Sequence, residues 1–262
     1  MYYYIYDTFL TDKKHERTIA EIETRLTDLG ITGKIGRLTA FTNAKGLIRD
    51  ESKRGAQTIV VVGNDETMAK VVEGLGDAKV TLGIIPVGTP TSIANALGIP
   101  DGVDACDILS KRVTQKIDLG VVNGRYFLSH LRIPGGNVSL ESDGKYRVTA
   151  LSPDCDIVIS NLRGTGERQE TQGGYCAGDP MDGWLDALIE PRPGSMGGFR
   201  GLFRNRHDSV ASVIPFRKAS VTSPEPISVI ADGKAFTNDS LSIEIVPDRL
   251  RVITGRERVF AA

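Results

Sequence analysis

Apolar positions in the first 115 residues fall into short dense runs that alternate with stretches of helical spacing. Tyr2 to Tyr6 is an aromatic and β-branched run, and from Lys13 to Leu29 the apolar residues Ile19, Ile22, Leu26 and Leu29 recur every three or four positions before Gly30. These patterns predict a strand and an amphipathic helix with a glycine stop. Ile35 to Thr39 is a second strand candidate, Asn43 to Arg54 a helix, and Thr58 to Val62 an uninterrupted apolar run of the kind buried in parallel sheets. Thr67 suits a helix N-cap, with Met68, Val71, Val72 and Leu75 on one face. Val80 to Ile85 reads as a fourth strand and Thr91 to Leu97 as a short helix closed by Gly98 and Pro100. Such alternation predicts an open α/β sheet.

Beyond about Lys116 the periodicity changes to that of strands. Ile117 to Val122 and Arg125 to Leu131 flank Asn123-Gly124, a pair that tolerates the positive φ angles of a type I′ hairpin turn. Further strand candidates are Arg147 to Leu151, Asp156 to Ser160, Leu185 to Ile189, Ser209 to Phe216, Ala219 to Thr222, Ile227 to Ala231, Ser240 to Val246 and Leu250 to Thr254. Gly164 to Gly174 and Pro191 to Gly201 read as glycine-rich loops. The expected fold is α/β plus all-β: an N-terminal open α/β domain over 1–115 and a β-sandwich-like domain over 116–262, with a nucleotide cleft between them. A return of the last strand to the first domain is left open.

Composition narrows the function classes. The 262 residues carry 32 basic against 33 acidic side chains, a formal charge of -1, and 40% hydrophobic residues. That profile fits a globular chain with cores of its own and argues against nucleic-acid binding through a strong basic field. Cys106, Cys155 and Cys176 are widely spaced and odd in number, which favours a reduced, cytoplasmic setting and a packing role. The aromatic start carries Asp7 and has no basic leader, and no apolar run approaches the roughly 20 residues that span a bilayer. His15, His130 and His207 are isolated and read as surface or satisfied core residues.

Candidate chemistry gathers in two turns, Gly63-Asn64-Asp65-Glu66-Thr67 after the third strand and Pro86 to Ser92 after the fourth. In open α/β sheets, ligands gather beyond the carboxyl ends of the strands, where glycines admit phosphate to the backbone and helix N-termini favour its charge. Either turn alone is equally a structural cap. In succession, VVVGNDETMAKVVEGLG, LGIIPVGTPTSIANALGIP and IDLGVVNGRYFL resemble the diacylglycerol kinase catalytic domain family, whose architecture the NAD kinases share. Its corresponding segments read GGDGT, P-x-GTxNDFAR-x-LGIP and IDLGxVNGRYF. Asp179 to Asp186 resembles the family's DDGLLDV element, Ala231-Asp232-Gly233-Lys234 its DGE element, and IEIVPDRLRV its closing segment.

The resemblance implies transfer of the ATP γ-phosphoryl group to a lipid hydroxyl such as that of diacylglycerol, with magnesium as cofactor. It implies nucleotide contacts at Thr39, Gly63, Asn64, Asp65, Glu66, Thr67, Gly88 and Thr89, and a magnesium site at Asp179, Asp182 and the Trp184 backbone. Phosphoryl transfer rests on positioning, on spreading negative charge and on a base for the hydroxyl proton. Several departures fall on that chemistry. Asn64 and Glu66 replace glycines, Thr91-Ser92 replaces Asn-Asp, and the early Asn-Pro-x-x-Gly turn is missing. Lys234 stands where the family carries the glutamate expected as base, with Asp65 and Asp232 as the remaining catalytic candidates. Lys234 either serves with a strongly lowered pKa or forms an ion pair with Asp65, Glu66 or Asp182. A non-catalytic relative that binds nucleotide or lipid is the alternative, and a soluble NAD-kinase-like enzyme a third reading. The segment Phe199 to Arg206 interleaves aromatic and basic residues; Phe199, Arg200, Phe203 and Arg204 suit contact with an anionic membrane at its inner face, a packed surface loop or a subunit interface. The sequence leaves the oligomeric state open.

Overall fold

The computed structural model describes residues 1–135, 138–144, 146–150, 155–163, 178–191 and 213–260. The glycine-rich loop at 164–174, the membrane candidate Phe199, Arg200, Phe203 and Arg204, and Cys176 and His207 lie outside the described residues. The chain divides into two compact units, Met1–Leu119 with Pro247–Ala262, and Gly120–Val246.

The first unit is an α/β layer. Its strands β1 (Tyr2–Tyr6), β2 (Lys34–Arg37), β3 (Thr58–Gly63) and β4 (Thr81–Pro86) alternate with helices α1 (Lys13–Asp28), α2 (Ala44–Lys53) and α3 (Asp65–Gly74). Helices α4 (Ser92–Ala96) and α5 (Asp104–Lys111) follow. These four strands pair in parallel, in the order β2-β1-β3-β4, and Arg251 and Val252 add to β4 in parallel beside Thr81 and Leu82. That last pairing is why residues 247–262 group with the first unit. Every residue of β3 is buried, as a central parallel strand requires. Helix α1 turns Ile22 and Leu26 to the core, and Asn43 caps α2 by accepting from Gly46 N at 2.8 Å.

The second unit is antiparallel. It holds β5 (Thr114–Val122, shared with the first unit), β6 (Arg125–Phe127), β7 (His130–Pro134), β8 (Val138–Ser142), β9 (Tyr146–Ala150) and β10 (Cys155–Ser160). These are followed by β11 (Leu185–Pro191), β12 (Val213–Phe216), β13 (Lys218–Ala231) and β14 (Lys234–Ile253), whose end lies in the first unit. The main path is β12-β11-β10-β7-β13-β14. The two halves of β13 serve different neighbours: Ala219–Thr222 pairs with β8, Ile230 and Ala231 with β7, and the register shifts between Thr222 and Ile227. Such a bulge lets one strand turn between layers around a common core, here including Phe127, Leu140, Ile159, Phe216 and Ile243. Asn123 and Gly124 form the β5–β6 turn with φ of 47° and 78°. Among the described residues no helix is long and apolar enough to cross a membrane.

Candidate active site

In the first unit, β3 and β4 end side by side at Gly63 and Pro86, and the two following turns are bound together. Asn64 Nδ2 donates to Thr89 O (3.1 Å), Asp65 N to Pro90 O (2.9 Å) and Val87 N to Gly63 O (3.0 Å). The Asp65 carboxylate accepts from Ser92 N at 2.8 Å and Ile93 N at 3.1 Å, so it caps α4 from outside that helix. The geometry thus gathers Gly63, Asn64, Asp65, Thr67, Gly88 and Thr89 into one wall. The N-cap of α3 is Asn64 rather than Thr67: the two residues form a capping box, Asn64 Oδ1 accepting from Thr67 N (3.2 Å) and Thr67 Oγ1 from Asn64 N (3.3 Å). Asn can replace a turn glycine here because the position is extended, φ -106° and ψ -171°. Glu66 is exposed in the first turn of α3, where the helix dipole favours an acid.

Both glycines are sterically required. A Cβ on Gly63 would lie 2.4 Å from Thr67 Oγ1, and one on Gly88, at φ 81°, would lie 2.9 Å from Phe9 Cε2. Phe9 belongs to the 3-10 turn Thr8–Thr11 that follows β1, the place where the Asn-Pro-x-x-Gly turn is missing. Its ring meets His15 edge-on at 5.4 Å between centroids.

Asp7, passed over in the sequence, anchors this wall from below. Its buried carboxylate accepts from Thr8 N (2.6 Å), Thr67 Oγ1 (2.9 Å) and Lys70 Nζ (2.8 Å). Burial pushes its pKa up, but the hydrogen bonds from Lys70 and Thr67, with the Lys70 charge and Thr8 N–H, outweigh it and hold the carboxyl below the usual range. The available signal was an acid placed directly after a fully apolar parallel strand. Thr39 is exposed in the turn after β2, its Oγ1 accepting from Phe41 N (3.2 Å) and Thr42 N (3.1 Å). The neighbouring Phe41 side chain is almost wholly exposed.

In the second unit, Asp232-Gly233 is the two-residue turn between β13 and β14, with φ of 45° and 83°. The Asp232 carboxylate accepts three backbone N–H groups, from Leu128 (2.6 Å), Ser129 (2.9 Å) and His130 (3.0 Å). Burial raises its pKa, against the pull of those donors. Asn161 Nδ2 donates to Leu128 O at 2.8 Å, so the same segment is held from both sides. Lys234 opens β14 opposite Ala231 and is exposed.

Asp179 and Asp182 are half-buried in a tight turn, accepting from Met181 N (3.0 Å) and Trp184 N (2.8 Å) respectively. The Arg217 guanidinium stacks 4.5 Å from the Trp184 ring centroid. Two carboxylates and a main-chain carbonyl are hard oxygen donors and fit a magnesium ion that keeps several waters. Among the described residues no three His, Cys, Asp or Glu side chains are grouped to form a metal cage.

The family model described as "Diacylglycerol kinase catalytic domain" matches residues 2–122. A diacylglycerol kinase of Bacillus subtilis is 36% identical over 254 residues, covering 92% of this chain and 80% of that protein. A Pseudomonas aeruginosa protein named "Probable lipid kinase YegS-like" is 27% identical over 243 residues, 80% of each. A crystal structure of a diacylglycerol kinase from Bacillus anthracis superposes with a TM-score of 0.75 at 18% identity over 98% of both chains, a likeness of fold.

Proposed function

The chain belongs to the diacylglycerol kinase catalytic-domain family, and on that premise we propose that it transfers the γ-phosphoryl group of ATP to a hydroxyl of a lipid such as diacylglycerol. The observation that carries the reading is the bare-backbone wall at the carboxyl ends of β3 and β4. There Gly63 and Gly88 present no side chain, and the α3 N-terminus adds its dipole. Polyphosphate would rest on the backbone of Gly63 to Thr67 and of Gly88-Thr89, with Thr39 as a further hydroxyl contact. Asp65 acts as a positioning residue, since its carboxylate already holds the N–H groups of Ser92 and Ile93. Glu66, on the exposed face, can meet phosphate through a cation or turn to solvent. Asp179, Asp182 and the Trp184 carbonyl would hold magnesium, which when bound neutralises phosphate charge. Phe199, Arg200, Phe203 and Arg204 are the proposed contact with an anionic membrane surface.

A second reading, a relative that binds nucleotide or lipid without turnover, is favoured by Asp232 and Lys234. The first has its carboxylate committed to three N–H donors, and the second is a lysine where the family carries the glutamate expected as base. One experiment separates the readings. ATP binding is titrated with and without magnesium, and transfer of labelled phosphate is measured to a panel of diacylglycerol, phosphatidylglycerol and long-chain amino alcohols. Transfer supports the kinase; metal-dependent binding without transfer supports the second reading; no ATP binding overturns both. If Lys234 blocks proton removal, Lys234→Glu raises turnover.

A further inference from the structure

The first unit carries a cavity of about 560 Å³ at the opposite end of β4 from the glycine turns. Thr81, which lines it, is five residues from Pro86, or about 16 Å along the strand. Its walls bring Lys79, Lys116, Arg249 and Arg251 together with only two acids, Asp77 and Asp248, an excess of two positive charges in a chain whose total charge is -1. We infer that this cavity is a second, independent binding site for a phosphorylated ligand of headgroup size.

Three features show that it is shaped rather than a chance gathering of surface cations. First, β14 alternates here: Leu250 and Val252 are buried, and the intervening register puts Arg249 and Arg251 together on the cavity side. Second, Asp248 adopts a left-handed φ of 53°, and the buried Asp118 carboxylate pins it by accepting its N–H at 2.7 Å. A side chain-bearing residue held in that region is a local strain that the surroundings must over-determine. Third, Arg249 donates to the carbonyls of Gly76 and, at 3.4 Å, Ala78. These two bonds fix the rim. An ion pair across the cavity, Lys116 to Asp248 at 3.8 Å, joins two largely exposed side chains and is weak enough for an incoming anion to displace.

The volume lies in the range of about 300–1,000 Å³ typical of small-molecule sites, and exceeds the needs of a lone phosphate ion. Arginine pairs favour two-pronged contact with phosphate oxygens, while the lysines add point charges. The shared ligand chemistry is therefore a phosphomonoester or pyrophosphate dianion, supplied by a soluble metabolite or by a lipid headgroup.

Lysine footprinting of the full chain tests this. The protein is treated with an amine-acylating reagent in the presence of inorganic pyrophosphate, or of phosphatidylcholine vesicles with and without phosphatidic acid, and acylation is read by mass spectrometry. Lys79 and Lys116 are expected to be protected while Lys14 and Lys53, exposed elsewhere on the unit, are not. Protection by pyrophosphate assigns a soluble ligand, and protection only by phosphatidic acid vesicles assigns a headgroup. Arg251→Glu, at an exposed position, is expected to raise the half-protecting concentration about tenfold. No protection in either arm, equal protection of all four lysines, or undiminished protection in Arg251→Glu would overturn the inference. Gly63→Val, placed at the opposite end of the β3–β4 pair from the cavity, is expected to leave the footprint intact, so failure of the kinase reading and failure of this one are distinguishable.

Discussion

Asp65 offers a direct measurement of how the two turns of the nucleotide wall are coupled. Asp65→Ala deletes two hydrogen bonds from a charged acceptor to the N–H groups of Ser92 and Ile93. Bonds to charged groups contribute about 1.5–3 kcal/mol each when protected from water. Ser92 is exposed and Ile93 is buried, so water replaces the first partner and not the second. The lost helix cap consists of these same bonds and is not added to them, so the buried Ile93 bond sets a local destabilisation of about 2–3 kcal/mol. Since 1.4 kcal/mol is a factor of ten, the amides of Ser92 and Ile93 should exchange about 30- to 150-fold faster in the variant, readable by hydrogen exchange at pH 7. Asp65→Asn keeps one acceptor oxygen and should fall between variant and wild type. ATP affinity should weaken in the same order, because the wall loosens. Unchanged exchange at Ser92 and Ile93 with abolished phosphate transfer would refute the reasoning and give the carboxylate a direct chemical role.

Other outcomes follow from the same contacts. Asp7 has a folded pKa below its unfolded value of about 3.9, so its stabilising contribution is full above that value and is lost as pH falls through the folded pKa. In a pH series of urea unfolding, Asp7→Asn should lower stability at pH 7 and flatten the acid-side decline; an unchanged decline would exclude Asp7 as its source. Asp232→Ala strips the acceptor from three N–H groups of one segment and is expected to cost about 3–5 kcal/mol, followed by fluorescence of Trp184, the chain's single tryptophan and a member of the same unit. Wild-type stability in that variant, with activity lost, would make Asp232 a base rather than a clamp. Gly63→Val drives a side chain into Thr67 and should weaken ATP binding at least about tenfold, whereas Gly30→Ala, with φ 66° and open space around it, should cost only about 1 kcal/mol and leave ATP binding unchanged.

The α/β and β-rich halves were legible because their periodicities are local. Ile22 and Leu26 declare the buried face of α1, and Asn123-Gly124 forms the turn its residue types demand. Helix α5 carries a weak periodic signal because only Ala105, Cys106 and Leu109 are buried in an otherwise polar stretch. The strands at 219–222 and 227–231 read as separate because Pro224 and Pro226 interrupt them, yet a register shift absorbs both prolines in one strand. Pro247 likewise separates two strand candidates in the sequence, although β14 runs through it from Lys234 to Ile253. The site divides along the same line. Glycine turns are written in consecutive residues, and so was the wall of Gly63, Asn64, Gly88 and Thr89. The partners of Asp65 lie 27 and 28 residues away and those of Asp232 more than 100, distances at which spacing carries no information.

The most direct test of the central claim is transfer of label from γ-labelled ATP to diacylglycerol, with magnesium, by wild type and Gly63→Val side by side. The account expects magnesium-dependent label in the extracted lipid for wild type and, at limiting ATP, at least about tenfold less for Gly63→Val. Equal labelling by the two proteins would contradict the assignment of the nucleotide to the glycine wall, and tight ATP binding by wild type with no lipid labelled would contradict the kinase reading.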